Sequence, residues 1–340
     1  MAKQAVLVVC PGRGTYNAPE LGYLARHHGA LRDSRSFDAI RAAKGAPTLS
    51  ELDGAARFSA SLHQRGENAA PLIYAASWLD FLALDRERLE VVAVTGNSMG
   101  WYTALACAGA VSGEHGFAIA DAMGVNSGRH GDGGQLLLTL VGEDWTPDPV
   151  FRAHIERLIE KHGVHRSIDL GGMLVIAGGG AQLDRFQAAL PALPGRAPMR
   201  LAGHGPFHTP LMAESSRAAL SDLSAGDFGR PDVPLIDGTG RVWRRFETDP
   251  AALHAYTFTP QILEAYDFAK AIEVGIKEFA PDRIVLLGPG DTLGGAIGQV
   301  LVRERWLGIT DKTAFAARQA TDPFLIAMGR SDQRTLASAG

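Results

Sequence analysis

The sequence is poor in cysteine, in charge of one sign and in long hydrophobic runs. Its 340 residues include only two cysteines, Cys10 and Cys107, and each lies in an apolar stretch. We expect two buried free thiols and no disulfide framework, which fits a reducing cytoplasm. The formal net charge is −4, with no long run of one sign. The sequence therefore predicts neither a nucleic-acid nor a membrane partner.

Motifs for a targeting segment, a metal or a bound cofactor are also missing. The first apolar run, residues 5–10, stops at a Pro-Gly pair and is too short for a signal sequence or a membrane span. No Cys-x-x-Cys or His-Glu-x-x-His pattern occurs, and the glycines at 178–180 are not followed by Gly-Lys-Ser/Thr. We therefore predict a cytoplasmic protein with no metal and no bound cofactor.

Short apolar runs alternate with helical patterns along most of the chain. A strand buried on both faces is a continuous apolar run, and four such runs lie at residues 5–10, 89–95, 233–236 and 283–287. Helical stretches at 69–84 and 265–279 separate them. This alternation predicts an α/β fold with a mostly parallel sheet covered by helices on both faces.

Residues 132–203 have a different organisation, with glycines on either side. The pattern there predicts strands at 135–141, 173–177 and 198–202 and helices around 151–159 and 182–190. This β-α-β-α-β order is typical of a small ferredoxin-like α+β unit. We therefore predict a large domain of residues 1–131 and 204–315, an inserted subdomain of 132–203, and a peripheral tail of 316–340.

The strongest chemical signal is the sequence Gly-Asn-Ser-Met-Gly at 96–100. It follows an apolar strand and precedes a helix rich in small residues, which is the setting that a nucleophile elbow requires. In such a turn Ser98 is exposed at the end of the sheet, and the backbone N–H of Met99 can stabilise an oxyanion. A serine also needs a base beside it. The best candidates are His204 and His208, in a rigid loop rich in glycine and proline at the subdomain junction.

Four segments in this order resemble the malonyl-CoA:acyl-carrier-protein transacylases and the acyltransferase domains of polyketide synthases. The loop at 10–14 (CPGRG) resembles the opening Pro-Gly-Gln-Gly loop of that family, and residues 96–105 resemble its serine elbow. Residues 205–212 (GPFHTPLM) resemble its catalytic-histidine loop, and residues 288–295 resemble its C-terminal Gly-Pro-Gly segment. Together the matches extend over about residues 5 to 300.

The resemblance implies an α/β-hydrolase-like core with a ferredoxin-like insertion, and a catalytic dyad of Ser98 and His208. It implies ping-pong transfer from acyl-CoA to the phosphopantetheine thiol of an acyl carrier protein, so that coenzyme A is a substrate. It also implies a second oxyanion N–H from Arg13. A backbone carbonyl would orient the histidine, and we expect it near Asp267, although a short insertion at 261–265 shifts the alignment there.

The chain departs from the family pattern around the expected substrate pocket. Met123 occupies the position of the arginine that grips the malonyl carboxylate in malonyl-specific members. Arg13 replaces the glutamine of the opening loop, and its side chain would either supply the missing cation or point outward. We place these residues in the acyl or substrate pocket, together with Phe207, Asn97, where the family usually has histidine, and Trp101, where it often has glutamate.

Three functions follow from this pattern. The first is an acyl-CoA:acyl-carrier-protein S-acyltransferase that uses malonyl or a neutral acyl group such as acetyl, in fatty acid or polyketide biosynthesis. The second is an acyl-thioester hydrolase, because both reactions share the acyl-enzyme and differ only in the second acceptor. The third is a non-catalytic component that binds a carrier protein, although the intact Ser98 and His208 count against it.

Overall fold

The computed structural model describes residues 2–29, 32–129, 131–192 and 196–339. Eleven strands occur in this part of the chain: β1 Gln4–Cys10, β2 Leu89–Gly96, β3 Gly134–Thr139, β4 His165–Asp169, β5 Met173–Gly178, β6 Met199–Arg200, β7 Leu235–Ile236, β8 Val242–Trp243, β9 Tyr266–Asp267, β10 Arg283–Leu286 and β11 Leu325–Ala327.

The same residues form sixteen α-helices: α1 Tyr23–His28, α2 Arg32–Ala43, α3 Leu49–Asp53, α4 Ala60–His63, α5 Gly66–Leu82, α6 Gly100–Cys107, α7 Gly113–Asn126, α8 Pro149–His162, α9 Gly180–Ala188, α10 Ala213–Asp222, α11 Pro250–Phe258, α12 Pro260–Leu263, α13 Phe268–Phe279, α14 Gly294–Arg303, α15 Lys312–Thr321 and α16 Ser331–Ala337. No helix in the described ranges is long and apolar enough to cross a membrane.

A six-stranded sheet forms the centre of the fold. Its strand order is β11-β10-β1-β2-β7-β8, and all neighbours pair in parallel except β7 and β8. Val6 to Cys10 of β1 are fully buried, because helices α5 to α7 pack on one face of the sheet and α13 and α14 on the other. The predicted α/β fold class with a parallel sheet is confirmed, and both cysteines are buried and free.

A second sheet of five strands has the order β6-β3-β5-β4-β9. Residues 134–200 run β-α-β-β-α-β, so the predicted β-α-β-α-β order missed one strand, β4. Its sequence, HRSID, is mostly polar and lacks the apolar run used to find strands, yet Ser167 and Ile168 are buried. The fifth strand, β9, lies outside residues 132–203 and pairs with β4 in parallel. This arrangement supports, as a proposal, an inserted unit close to residues 132–203, and the five-stranded sheet is therefore named the inserted sheet.

The prediction of a peripheral tail at 316–340 is wrong for most of that segment. Strand β11 pairs with β10 in the central sheet, and Phe324 and Met328 beside it are fully buried. Helix α16 then places Arg334 against Asp80, with 2.7 Å between Nη2 and Oδ1. An apolar strand of the central sheet, followed by a helix whose partly buried arginine pairs with a buried carboxylate, is integral to the fold.

Asp80 is fully buried and connects four segments of the chain. Its carboxylate contacts His28 Nε2 at 2.8 Å and accepts hydrogen bonds from the Tyr23 hydroxyl at 2.7 Å and the Gly288 N–H at 2.8 Å. Arg334 supplies the cation of this cluster. A buried carboxylate is stable only when it is paired and hydrogen-bonded, so the cluster ties the C-terminal helix to α1, α5 and the loop after β10.

We predict that Arg334→Met lowers the free energy of unfolding by about 3 kcal/mol, because it leaves the charge of Asp80 buried without its guanidinium partner. Urea denaturation followed by circular dichroism measures the change. The control is Asp332→Asn in the same helix, which breaks an exposed pair with Arg330 and should cost less than about 1 kcal/mol. Equal effects of the two substitutions would contradict this role of Arg334.

Candidate active site

Ser98 lies in the sharp turn between β2 and α6. Its φ of +54° is in the left-handed region, which side-chain-bearing residues rarely adopt. The turn closes only because its flanking residues are glycines. A Cβ on Gly96 would lie 2.3 Å from the Gly100 carbonyl carbon, and one on Gly100 would lie 2.2 Å from the Cys10 carbonyl oxygen. The Gly-x-Ser-x-Gly pattern is therefore a steric requirement of this turn.

The Ser98 hydroxyl contacts the His208 imidazole, with 2.7 Å between Oγ and Nε2. On the other side of the ring, Nδ1 lies 2.7 Å from the backbone carbonyl oxygen of Gln261. A carbonyl only accepts, so Nδ1 carries the proton and Nε2 is the free acceptor for the serine hydroxyl. The two residues, 110 positions apart in the chain, thus form a nucleophile and base pair.

Gln261 replaces the predicted segment near Asp267 as the source of the orienting carbonyl. Asp267 instead caps α13, where its side chain accepts a hydrogen bond from the Lys270 N–H. The orienting carbonyl therefore lies six residues before the position expected from the sequence. The Gln261 side chain also donates from Nε2 to the Ser98 carbonyl at 3.0 Å, so this residue contacts both members of the pair.

The inserted sheet holds the loop that carries His208. Gln135 of β3 donates to the Ser167 hydroxyl of β4 at 2.7 Å, and that hydroxyl donates to the Phe207 carbonyl at 2.8 Å. The other end of the Gln135 amide, Oε1, contacts His204 Nδ1 at 2.8 Å. Of the two histidines in the loop, His208 reaches the serine and His204 binds to the inserted sheet.

Burial lowers the pKa of His208 to about 4, although its hydrogen bond to the Gln261 carbonyl acts in the opposite direction. The imidazole is 4% exposed, and its ring also lies 5.4 Å from that of Tyr266. A histidine with a depressed pKa is neutral throughout the neutral pH range. The base is therefore in the form that can accept the serine proton.

A cavity opens beside the pair, with about 480 Å³ of empty space that includes its open mouth. Three of the predicted pocket residues line it, namely Met123, Phe207 and Arg13, together with Ser98 and His208. Met123 is 6% exposed, so its side chain forms part of the inner wall.

Two other predicted pocket residues lie elsewhere. Trp101 is fully buried behind the elbow, where its indole N–H donates to Thr257 Oγ1 at 3.0 Å. Its assignment to the pocket is wrong, because this side of α6 faces the core. Asn97 lines a second groove, which continues from Ser98 between the opening loop and the apolar face of the inserted sheet, at Leu137 and Val175.

The side chain of Arg13 lies where the cavity and the groove meet. Its Nη2 donates to the backbone carbonyls of Gln64 at 3.0 Å and Gly203 at 3.2 Å, and its guanidinium lies 5.4 Å from the centre of the Phe207 ring. Burial lowers its pKa to about 10, with Glu67 acting in the opposite direction. Arg13 therefore remains charged at neutral pH and bridges the two sides of the cleft.

The opening loop packs directly onto the elbow. The Asn97 N–H donates to the Cys10 carbonyl at 3.0 Å, and a Cβ on Gly12 would lie 2.5 Å from the Asn97 carbonyl oxygen. Met99 follows the nucleophile, directly before α6 begins. This packing supports the proposal that the Met99 and Arg13 backbone N–H groups face the oxygen of the carbonyl group that Ser98 attacks.

We predict that the rate constant for acylation of Ser98 stays flat down to about pH 5 and is half lost near pH 4, where His208 becomes protonated. A base with a depressed pKa is available above that pKa and lost below it. Quenched-flow acylation by an acyl-CoA across this range measures the profile. A midpoint at about 6.5, the ordinary histidine value, would contradict the effect of burial.

No family model matches the chain, but individual proteins do. It is 25% identical over 238 residues to the polyketide biosynthesis protein ThaF of Burkholderia thailandensis, covering 68% of this chain and 19% of that protein. It is 26% identical over 218 residues to the malonyl CoA-acyl carrier protein transacylase of Salmonella typhimurium, covering 61% of this chain and 65% of that protein. The matched regions thus span less than two thirds of either relative.

Solved structures resemble the chain over nearly its whole length. The malonyl-CoA:acyl carrier protein transacylase of Xanthomonas oryzae pv. oryzae superposes with a TM-score of 0.75 at 20% identity, covering all of both chains. The Synechocystis malonyl-CoA:ACP transacylase gives 0.75 at 17% identity, covering 98% and 99%. The resemblance to the malonyl-CoA:acyl-carrier-protein transacylases that the motifs indicate is confirmed, and the chain shares the fold of these enzymes.

Proposed function

We propose that the chain is an S-acyltransferase that moves an acyl group from coenzyme A to the phosphopantetheine thiol of an acyl carrier protein, through an ester on Ser98. The observation that carries the proposal is the 2.7 Å contact between Ser98 Oγ and His208 Nε2 beside a cavity. The malonyl transacylase among the relatives supports the reaction class.

In the first half-reaction, Ser98 Oγ attacks the thioester carbonyl carbon as His208 Nε2 takes the hydroxyl proton. The negative charge on the carbonyl oxygen is stabilised by the N–H groups of Met99 and Arg13. The carbon–sulfur bond then breaks, and His208 returns its proton to the departing thiolate. An acyl ester of Ser98 and free coenzyme A result.

In the second half-reaction, the carrier thiol takes the place of coenzyme A. His208 accepts the thiol proton, the sulfur attacks the ester carbon, and Ser98 Oγ leaves with that proton. The Gln261 carbonyl keeps the Nδ1 proton in place throughout and stabilises the imidazolium that forms in each half. A water in place of the thiol would give hydrolysis instead.

The cavity lining favours a neutral acyl group. Met123 takes the place of a carboxylate-binding arginine, and among the described residues lining the cavity only Arg13 and His208 can carry charge. His208 is neutral, and Arg13 already donates to two carbonyls. An ionised carboxylate buried without a partner is costly. We therefore propose acetyl or a somewhat longer neutral acyl group as the donor, rather than malonyl.

Transfer to the carrier tests the reaction. The protein is mixed with acetyl-CoA and a phosphopantetheinylated carrier protein, and the mass of the carrier is followed. The wild type should label the carrier, and Ser98→Ala should slow labelling at least about a thousandfold. The control is Ser331→Ala, in α16 and outside both cavities. Free acetate with an unlabelled carrier would indicate a hydrolase, and no turnover with any acyl-CoA would indicate a binding component.

We predict that Met123→Arg raises the malonyl-to-acetyl ratio of acylation rates by at least about tenfold, because a charge-assisted hydrogen bond to the malonyl carboxylate contributes about 1.5–3 kcal/mol. Acylation of Ser98 by each donor is measured by intact-protein mass spectrometry. Met123→Leu, which keeps the wall neutral, is the control and should retain the wild-type ratio. An unchanged ratio in Met123→Arg would contradict the assignment of Met123 to the acyl pocket.

A further inference from the structure

The wall of the acyl cavity contains a hydroxyl group with no partner. Ser215, near the start of α10, lines the cavity together with Ser98 and is 1% exposed. Within the described part of the chain, its Oγ has no hydrogen-bond partner. Buried side-chain hydroxyls nearly always have one, so this atom requires an explanation.

The other hydroxyls that line this cavity in the described part of the chain, those of Ser98, Tyr102 and Ser127, are all hydrogen-bonded within the protein. Ser127 Oγ donates to the Gly124 carbonyl at 2.7 Å, and the Tyr102 hydroxyl donates to Gln261 Oε1 at 3.3 Å. Ser216, the next residue of α10, donates to the Phe258 carbonyl. Ser215 therefore differs from its neighbours in having a hydroxyl that the fold itself does not use.

The surroundings of Ser215 limit what can bind to it. Met123, Met212 and Ile262 line the same cavity and offer no polar atom that would pair with the hydroxyl. An occupant that brings an oxygen to Ser215 satisfies this group, whereas a hydrocarbon chain leaves it unpaired. A carboxylate would have to pair with Arg13, whose Nη2 already donates to two backbone carbonyls.

We propose that Ser215 determines specificity for the acyl group by binding an oxygen substituent on the acyl chain. This inference rests on the proposed function. The substrate class is a short, neutral, oxygenated acyl thioester, either a hydroxyacyl or a ketoacyl group. A serine hydroxyl both donates and accepts, so it pairs with a hydroxyl or with a ketone oxygen. A site built to bond such an oxygen discriminates strongly against the analogue that lacks it.

The test compares donors that differ by one oxygen. Single-turnover acylation of Ser98 by butyryl-CoA, 3-hydroxybutyryl-CoA and acetoacetyl-CoA is followed by intact-protein mass spectrometry. The wild type should acylate faster with at least one oxygenated donor than with butyryl-CoA, by about tenfold or more. Ser215→Ala should remove this preference by slowing the oxygenated donor while leaving butyryl-CoA acylation at least as fast.

Ser127→Ala is the matched control, because it removes a cavity hydroxyl that already has a protein partner. It should retain the wild-type ratio between donors, whatever its effect on the absolute rates. Thermal melting establishes that both variants are folded. A ratio is insensitive to loss of folded protein, so a merely structural role of Ser215 would leave it unchanged.

Two outcomes would overturn the inference, and they are distinguishable. Adducts from all three donors at similar rates, or an equal preference in wild type and Ser215→Ala, would refute the role of Ser215 and leave the acyltransferase proposal standing. No adduct on Ser98 from these donors, from acetyl-CoA or from malonyl-CoA would overturn both.

Discussion

The turn that holds Ser98 in a left-handed conformation is the constraint on which the site depends. At a φ of +54° the residue is strained by about 1–2 kcal/mol, and the turn is possible only because the glycines at 96 and 100 carry no Cβ. This conformation directs the Ser98 hydroxyl from the end of β2 toward His208, which lies in a loop distant in sequence. His208 is itself left-handed, with a φ of +58°. Both reacting side chains thus occupy backbone conformations that only the surrounding fold stabilises.

Both sheets help to position the catalytic pair of Ser98 and His208. The central sheet supplies the elbow and the opening loop, and helix α12 supplies the carbonyl of Gln261. The inserted sheet supplies Gln135 and Ser167, which hold the loop that carries His208. Strand β9, outside residues 132–203, pairs with β4 of the inserted sheet beside the site. The inserted sheet therefore positions the base as well as forming one wall of the groove.

Strands and site residues that leave a recognisable pattern of composition or spacing could be predicted from the sequence. The runs that became β1, β2 and β10 are apolar because both faces of the central sheet are covered, and the glycines around Ser98 are required sterically. The mostly polar strand β4 gives no such signal. Gln261 acts on His208 through its backbone carbonyl, which any residue provides. The residue type at position 261 therefore gives no sign of this role. Trp101 was misplaced because the direction in which a helical residue faces depends on packing that the motif does not encode.

The cavity and the groove differ in their lining and in the direction in which they lead away from Ser98. The cavity is small and mostly apolar, with neutral hydroxyls in its wall. The groove leads away from Ser98 along the inserted sheet. Arg13 lies at their junction and binds both sides through backbone carbonyls. A thioester bound across this junction would place its carbonyl at Ser98, with the acyl chain on one side and the pantetheine arm on the other.

The most direct test of this account is to locate the covalent intermediate. The protein is mixed with acetyl-CoA, quenched in acid within the first turnover, digested and mapped by mass spectrometry. The account predicts a single acetyl group on the peptide that contains Ser98, removed when the phosphopantetheinylated carrier is added before the quench. An acetyl group on Cys10, Cys107 or another residue, or carrier acetylation by the Ser98→Ala variant, would contradict it.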